Sequence, residues 1–118
     1  MNYKRNWCQK STVMPKTLGG NKIEALVIKE HNPKFRTNGS RPLIIFLARQ
    51  HPGETPGSFM IEGLIEYLLS KDKDSEYIRK NYEVRAIPMV NPDGVQSGNY
   101  RTNLYGVDLN RKWDCSIR

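Results

Sequence analysis

The chain has 118 residues, of which 37% are hydrophobic and 26% are charged, and its formal net charge is +7. These fractions argue against a wholly disordered chain, and the length suffices for one small domain or for part of a larger one. The longest apolar run, Leu43 to Ala48, is far too short to span a bilayer. The two cysteines, Cys8 and Cys115, show neither CxxC spacing nor a disulfide framework. No signal peptide is visible, so we expect a reducing, cytoplasmic setting.

Basic residues are scattered along the chain, apart from a loose group near the N-terminus: Lys4, Arg5, Lys10, Lys16 and Lys22. The pI of about 9.6 favours an anionic partner, but a solvated basic surface explains the charge equally well. The chain has no RNP-like pattern, zinc finger or helix-turn-helix. We therefore expect neither nucleic acid nor a membrane as its partner.

The predicted elements begin after an N-terminal segment, residues 1–15, that has no clear periodicity. Residues 18–21 contain two glycines and an asparagine and predict a turn, and Ile23–Ile28 (IEALVI) predicts a strand. Residues 31–40 are polar and contain Asn-Pro and Asn-Gly pairs, which predicts a loop. The apolar run at residues 43–48 (LIIFLA) predicts a strand that is buried on both faces, as in a parallel sheet.

A helix is predicted to follow this strand, with Thr55 as its N-cap and Pro56 at the first helical position. Its apolar residues form two adjacent stripes at helical spacing. The stripes are Met60, Leu64 and Leu68, and Ile61, Ile65 and Leu69. Residues 71–74 end this helix, and residues 76–80 predict a short second one.

A further strand is predicted at residues 84–90 (VRAIPMV), in which Pro88 indicates an irregular or terminal position. Residues 91–94 (NPDG) predict a turn, and periodicity is lost from Gly94 to Asp114. A long irregular stretch beside a buried sheet is either functional or disordered. The order strand, helix, strand predicts a βαβ unit and an α/β fold with a parallel sheet.

Candidate metal ligands follow the first buried strand, at the end where ligand sites of open α/β sheets lie. His51 offers an imidazole nitrogen and Glu54 a carboxylate, and both are normal zinc ligands. Pro52 and Gly53 favour a tight turn, which can bring the two side chains onto one ion. The alternative is a helix-entry loop in which Glu54 favours the helix N-terminus and His51 is incidental. The HxxE pattern is too short to decide between them, and it differs from the HExxH of another protease class.

Candidate anion-binding residues lie in the irregular stretch near the C-terminus. Arg101 and Arg111 are permanently charged, multi-donor groups that suit a carboxylate or a developing oxyanion, and Asn110 adds an amide donor. The alternative is a pair of ordinary surface arginines.

Three motifs in chain order carry a resemblance to a known family: HPGE after an apolar strand, then NPDG, then GNYRTNLYGVDLNRKW. This series resembles the zinc metallocarboxypeptidases, and within them the cytosolic carboxypeptidases, whose members include tubulin deglutamylases. The resemblance runs from about Leu18 to Trp113. It implies a partial carboxypeptidase-like α/β fold, with a mainly parallel or mixed sheet and flanking helices, whose C-terminal half is missing from this chain.

The resemblance also implies roles for individual residues. His51 and Glu54 match the first two zinc ligands of the family. Arg101 matches the arginine that polarises the scissile carbonyl and stabilises the oxyanion, and Asn110 and Arg111 match the pair that binds the substrate's C-terminal carboxylate. We expect Asp93 and Asp108 to be structural members of their motifs, without a chemical role.

Three catalytic parts of the family are expected downstream of the DLNR motif: a histidine as third zinc ligand, a glutamate general base and a tyrosine that contacts substrate. His31 lies in a polar loop before the site and is not expected to be a ligand. Residues 1–17 are expected to be a remnant of a preceding β-sandwich domain. Residues 18–118 are expected to be the N-terminal half of the catalytic domain.

The implied function of the parent protein is zinc-dependent removal of C-terminal or side-chain amino acids, glutamate in particular, from proteins such as tubulin. The chain by itself would then be a truncated, inactive fragment. The alternative is a non-catalytic module that binds carboxylates on the same fold.

Overall fold

The computed structural model describes residues 7–31 and 41–113, and it contains one mixed sheet with helices beside it. The strands are β1 (Cys8–Met14), β2 (Ile23–Ile28), β3 (Leu43–Leu47) and β4 (Glu83–Ile87). The helices are α1 (Pro56–Leu68), α2 (Lys73–Asn81) and α3 (Pro92–Gln96), followed by a 3-10 helix at Leu109–Arg111. Within these described ranges, no helix is long and apolar enough to cross a membrane. The predicted α/β class is confirmed.

The sheet has the strand order β1-β2-β4-β3. β3 and β4 are parallel and are connected through α1 and α2, so the predicted βαβ unit is confirmed. β2 pairs antiparallel with both β1 and β4, which makes the sheet mixed. Because β3 and β4 run in the same direction, the segments that follow them both leave the sheet at the carboxyl ends of these two strands. The candidate site lies at these carboxyl ends.

β1 was missed by the sequence analysis, which found no pattern in this segment. Its residues are exposed except for the half-buried Cys8, so no apolar face marks it as a strand. It forms by antiparallel pairing with β2, from Cys8 opposite Ile28 to Met14 opposite Ile23. Pairing with a neighbour, rather than burial of its own side chains, therefore explains this strand. The predicted domain division after residue 17 stays a prediction.

β3 lies at the other edge of the described sheet, and the prediction that it is buried on both faces was wrong. Leu43, Ile45 and Leu47 share one face, and 49%, 52% and 47% of their respective surfaces remain exposed. On the other face Ile44 packs against the core, while Phe46 is 36% exposed. The physical reason is that β4 occupies only one side of β3, and no strand of the described ranges pairs with its other side.

α1 begins as predicted, with Thr55 at the N-cap and Pro56 as its first residue, although no side-chain hydrogen bond caps it. The predicted stripe residues that pack into the core are Ile61, Leu64, Ile65, Leu68 and Leu69. Met60 was expected among them but is 75% exposed. It lines a groove of about 510 Å³ between β3 and α1, together with Phe46 and Leu47. We call this cavity the apolar groove; its polar end reaches Glu54.

α2 is longer than the predicted helix at residues 76–80. It begins at Lys73 because the Asp72 carboxylate accepts hydrogen bonds from the N–H groups of Asp74 and Ser75, which caps the helix. The predicted loop at residues 31–40 lies outside the described residues, apart from His31.

β4 ends at Ile87, just before Pro88, whereas the sequence predicted a strand that continues to residue 90. Proline lacks the N–H that a ladder needs, which explains the early end. The predicted turn at residues 91–94 is instead the start of α3, because the Asn91 side chain accepts a hydrogen bond from the N–H of Gly94 and caps a short helix.

The core lies between the sheet and the two longer helices, and its buried residues are Ile28, Leu68, Leu69 and Val84, with a smaller group at Ala48, Ile61 and Ala86. A buried arginine joins this core. Arg79 is 1% exposed, its guanidinium carbon lies 3.9 Å from the ring centre of Trp7, and it donates to the carbonyls of Leu68 and Ser70. Arg79 thereby satisfies carbonyl groups at the end of α1.

Candidate metal centre and anion site

The two predicted metal ligands meet in the turn that follows β3. The Nδ1 atom of His51 lies 2.9 Å from the Oε1 atom of Glu54. A backbone hydrogen bond from the Glu54 N–H to the His51 carbonyl, at 3.2 Å, closes the turn between them. The imidazole is 6% exposed, whereas Glu54 is exposed. The expected convergence is therefore present, while the role of these residues as zinc ligands stays a prediction.

Arg49 supports this turn from its N-terminal side. Its φ angle of 53° lies in the left-handed region, which is uncommon for a residue other than glycine. Its guanidinium donates to the Pro52 carbonyl at 3.1 and 2.8 Å and to the Ser58 hydroxyl at 2.9 Å. These bonds hold the strained backbone and link the turn to the first residues of α1.

Asp108 connects the turn with the second candidate group. Its Oδ1 atom lies 3.0 Å from His51 Nε2, and its Oδ2 atom accepts a hydrogen bond from Arg101 Nε at 2.6 Å. The backbone N–H of Asn110 donates to Oδ1 at 2.9 Å. Burial by itself would raise the pKa of Asp108, but the hydrogen bonds from His51, Arg101 and Asn110 outweigh it and lower the pKa to about 2. The carboxylate is therefore ionised at neutral pH and binds both groups.

The contact with Asp108 has a consequence for the imidazole of His51. A neutral imidazole has one N–H, and donating it from Nε2 to the carboxylate leaves the lone pair on Nδ1. In this tautomer the lone pair faces the Glu54 carboxylate, whereas in the other tautomer Nδ1 donates to Glu54. A ring nitrogen with a free lone pair beside a carboxylate oxygen is a donor set for a cation, and a carboxylate on the opposite ring nitrogen is the usual support of a metal-binding histidine.

The three predicted anion-binding residues lie in the same stretch of the chain but differ in their contacts with the metal candidates. Arg101 is tied to the metal candidates through Asp108, and its side chain is 41% exposed. The side-chain oxygen of Asn110 accepts from Trp113 Nε1 at 3.0 Å. Arg111 is exposed and donates to the Asn110 carbonyl at 3.2 Å. Within residues 7–31 and 41–113, Arg111 has no hydrogen bond or ion pair with His51 or Glu54.

Asp93, the other expected structural acid, connects α3 to the turn before β2. Its carboxylate accepts hydrogen bonds from the Thr17 hydroxyl at 2.5 Å, the Gly19 N–H at 2.8 Å and the Asn21 amide at 2.8 Å. A Cβ on Gly19 would lie 2.8 Å from the Asp93 carboxylate, so this approach requires glycine. The structural role expected for Asp93 agrees with these contacts.

The part of Asp108 in this network was missed by the sequence analysis. The available pattern was an acid two residues before Asn110, which predicts only a local cap of the 3-10 helix. A metal-binding histidine usually has a carboxylate partner, and this rule was the one further indication. The rule does not say which acid is the partner. His31 is exposed. In the described ranges, no three His, Cys, Asp or Glu side chains converge in a way that could hold a metal ion.

The mixed α/β sheet carries an HxxE turn after one parallel strand, and a carboxylate-linked arginine lies nearby. In a comparison with known families, the chain matches the Peptidase M14 zinc carboxypeptidase family over residues 6–117. The chain belongs to this family, as the sequence motifs predicted.

Curated relatives include cytosolic carboxypeptidase 2 of Xenopus tropicalis, 37% identical over 96% of this chain, and cytosolic carboxypeptidase 6 of Caenorhabditis elegans, 43% identical over 86%. This chain spans 12% and 22% of the lengths of those two proteins. Among solved structures, a metallo-carboxypeptidase from Burkholderia cenocepacia aligns with a TM-score of 0.79 and 29% identity, over 91% of this chain and 28% of that one. One from Pseudomonas aeruginosa aligns with a TM-score of 0.70 and 34% identity, over 87% and 26%.

Proposed function

We propose that the protein containing this chain is a zinc-dependent metallocarboxypeptidase. The observation that carries the proposal is the chain of contacts Glu54–His51–Asp108–Arg101, which joins a pair of metal-type donors to a cationic group in a member of the zinc carboxypeptidase family. Hydrolysis of a terminal peptide bond needs both: activation of water and of the carbonyl, and a fixed cation for the charge that develops on the carbonyl oxygen.

His51, through Nδ1, and Glu54 would hold the zinc ion. When bound, zinc acidifies a water molecule and polarises the scissile carbonyl. With its proton on Nε2 and donated to Asp108, His51 would have the Nδ1 lone pair available for the ion. Two side chains of one turn are fewer than the three protein ligands of a catalytic zinc site, so a third ligand and a general base would have to come from elsewhere in the full-length protein.

Arg101 would act on the substrate. Asp108 holds its Nε–H, and among residues 7–31 and 41–113 the terminal guanidinium nitrogens have no hydrogen-bond partner. They can therefore donate to a carbonyl oxygen as it becomes negative. Asn110 and Arg111 would bind the substrate's terminal carboxylate, which an internal peptide bond does not offer. This difference accounts for exopeptidase action.

The substrate we propose is an acidic chain end or a glutamate side chain, on tubulin or another protein, in the cytoplasm. A net charge of +7 favours acidic partners by long-range attraction. The relatives named above are called cytosolic carboxypeptidases, which supports the compartment. Residues 18–118 would form the N-terminal half of the catalytic domain, and β1, which lies within residues 1–17, pairs with the sheet of that half. The chain alone would be inactive.

The deciding experiment measures zinc-dependent glutamate release from a glutamate-tailed peptide by the full-length protein, its Glu54→Gln variant and a Glu62→Gln control. Glu62 is an exposed glutamate on α1 that makes none of the site's contacts. We expect release by the wild type and by Glu62→Gln, and a loss of more than about 100-fold in Glu54→Gln, since even residues behind a ligand cost 10- to 100-fold.

Two other results would contradict the proposal. Zinc-independent binding of the peptide without release, equal in all three proteins, would favour the non-catalytic carboxylate-binding module. Release that survives Glu54→Gln unchanged would remove Glu54 from the metal site.

A further inference from the structure

One buried side chain touches the backbone on both sides of the candidate site. Asn91 is 3% exposed, and its Nδ2 group donates to the Gln50 carbonyl at 3.4 Å and to the Thr102 carbonyl at 3.2 Å. Gln50 directly precedes His51, and Thr102 directly follows Arg101. The Asn91 amide therefore joins the loop of the metal candidate to the loop of the candidate oxyanion group.

The remaining polar atoms of Asn91 are also occupied. Its Oδ1 atom accepts from the Gly94 N–H at 3.0 Å, and its backbone N–H donates to the Arg49 carbonyl at 3.1 Å. A Cβ on Gly94 would lie 2.5 Å from Pro52 Cγ and 2.8 Å from Asn91 Nδ2, so the turn, α3 and the amide pack without spare room. A neutral amide has two donors and an acceptor in one plane, which the three contacts of the Asn91 side chain require.

We propose that Asn91 is a positioning residue that fixes the separation between the His51 turn and the Arg101 loop. For the roles of His51 and Arg101 this inference rests on the proposed function. Asp108 links the same two groups through their side chains, and a backbone hydrogen bond from the Gly53 N–H to the Tyr100 carbonyl joins the two loops. Asn91 adds a buried contact to each loop backbone directly beside His51 and Arg101, so the metal donors and the oxyanion donor stay at one distance while the reaction proceeds.

The test of positioning uses hydrogen exchange in the full-length protein and needs neither metal nor activity. The Gly53 N–H donates to the Tyr100 carbonyl at 2.7 Å and so bridges the two loops. In Asn91→Ala and in the isosteric Asn91→Asp, which cannot donate, we expect Gly53 to exchange at least about tenfold faster relative to the β4 amides. Asn99→Ala is the matched control, because Asn99 also donates to the Thr102 carbonyl, at 3.1 Å, but its other bond is to the Asn103 carbonyl.

The proposal is overturned if Gly53 exchanges at the wild-type rate in both Asn91 variants. It is also overturned if the β4 amides accelerate by the same factor as Gly53, which would mark a general loss of stability. If neither variant folds, the wild type decides: the Asn91 Nδ2 protons and the Gly53 N–H should show matching protection factors, because the same parting of the loops exposes both. Protection factors that differ by more than about tenfold would reject the link.

A second arm measures function. We expect Asn91→Asp to lower zinc affinity by about tenfold, as removal of a supporting residue does, and to lower kcat with KM nearly unchanged, while Asn99→Ala changes neither. Unchanged zinc affinity and kcat in a folded Asn91→Asp would contradict positioning. If the wild type binds no zinc, the proposed function fails, and the exchange experiment still decides on Asn91.

Discussion

The loops at the end of β3 and the apolar groove beside β3 are neighbours. They differ in how far contacts within this chain satisfy their polar groups or cover their apolar side chains. In the loops, Asp108, Asn91 and Arg49 satisfy backbone and side-chain groups through hydrogen bonds of 2.6 to 3.4 Å. In the groove, Phe46 and Met60 remain 36% and 75% exposed. The polar site is thus largely assembled by contacts within this chain, whereas the apolar surface has no cover among the described residues.

The largest effects are expected from the arginines of the polar region, assayed in the full-length protein. Arg101→Ala should lower kcat by about 100- to 1,000-fold, since it removes a donor to the developing oxyanion. Arg111→Ala should chiefly raise KM, since it removes a contact with the substrate carboxylate that is present before reaction. Steady-state kinetics separate the two, and unchanged kinetics in both variants would remove these residues from the site.

A backbone contact within the loops offers the next test. A Cβ on Gly53 would lie 2.4 Å from the Tyr100 ring and 2.9 Å from its carbonyl oxygen. We expect Gly53→Ala to reduce the free energy of unfolding by about 1–3 kcal/mol, as overpacking does. Gly63→Ala is the control, since a Cβ there meets nothing within 4 Å, and on α1 it should stabilise by up to about 1 kcal/mol. Urea unfolding measures both; equal stability of the two variants would show that the loops are loosely packed.

Acid titration probes the hydrogen bonds of Asp93. Burial by itself would raise the pKa of Asp93, but hydrogen bonds from Thr17, Asn21 and the Gly19 N–H lower it below its ordinary 3.8. A lowered folded-state pKa means that the stabilisation is complete above pH 3.8 and is lost as the pH falls through the folded value. Asp93→Asn should therefore be less stable at neutral pH and lose less stability than the wild type below pH 4. Parallel acid-unfolding curves for the two proteins would contradict this.

The smallest effect on stability is expected at the exposed apolar residues of β3 and α1. Ile45→Lys and Met60→Lys alter exposed side chains and should change the free energy of unfolding by about 0.5 kcal/mol or less. The exposed apolar residues of β3 and α1 should make the isolated chain self-associate. Both substitutions place a charge on this surface and should reduce that self-association. Tyr77→Lys is the control, since Tyr77 is 61% exposed on α2. Sedimentation velocity would show whether the wild-type chain is monodisperse, which would contradict the expectation.

The sequence predicted those parts of the fold that depend on local pattern. β2 was predicted with its observed bounds, and the start of α1 at Pro56 followed from its Thr-Pro pair. β1 could not be found, because its exposed residues become a strand only through β2. The burial of β3 was misjudged, because an apolar run shows that a strand prefers burial but not whether a neighbour covers it.

In the candidate site too, the sequence predicted the contact between residues that are near in the chain but not the contacts between distant residues. His51 and Glu54 are three residues apart, and a turn suffices to bring them together. The bond from His51 to Asp108 spans 57 positions, and that from Asn91 to Gln50 spans 41. Contacts at such separations depend on how the parallel strands align their ends, which motif spacing does not contain.

The buried guanidinium of Arg79 has a practical consequence for choosing where a shortened version of the protein should begin. Starting at Leu18, the first residue of the proposed catalytic half, would delete both β1 and the Trp7 ring that lies 3.9 Å from Arg79. The cation would keep its bonds to the end of α1 but would lose an aromatic neighbour worth about 0.5–2 kcal/mol. Residues that precede the boundary drawn from motifs thus belong to the minimal folding unit, and expression trials should retain them.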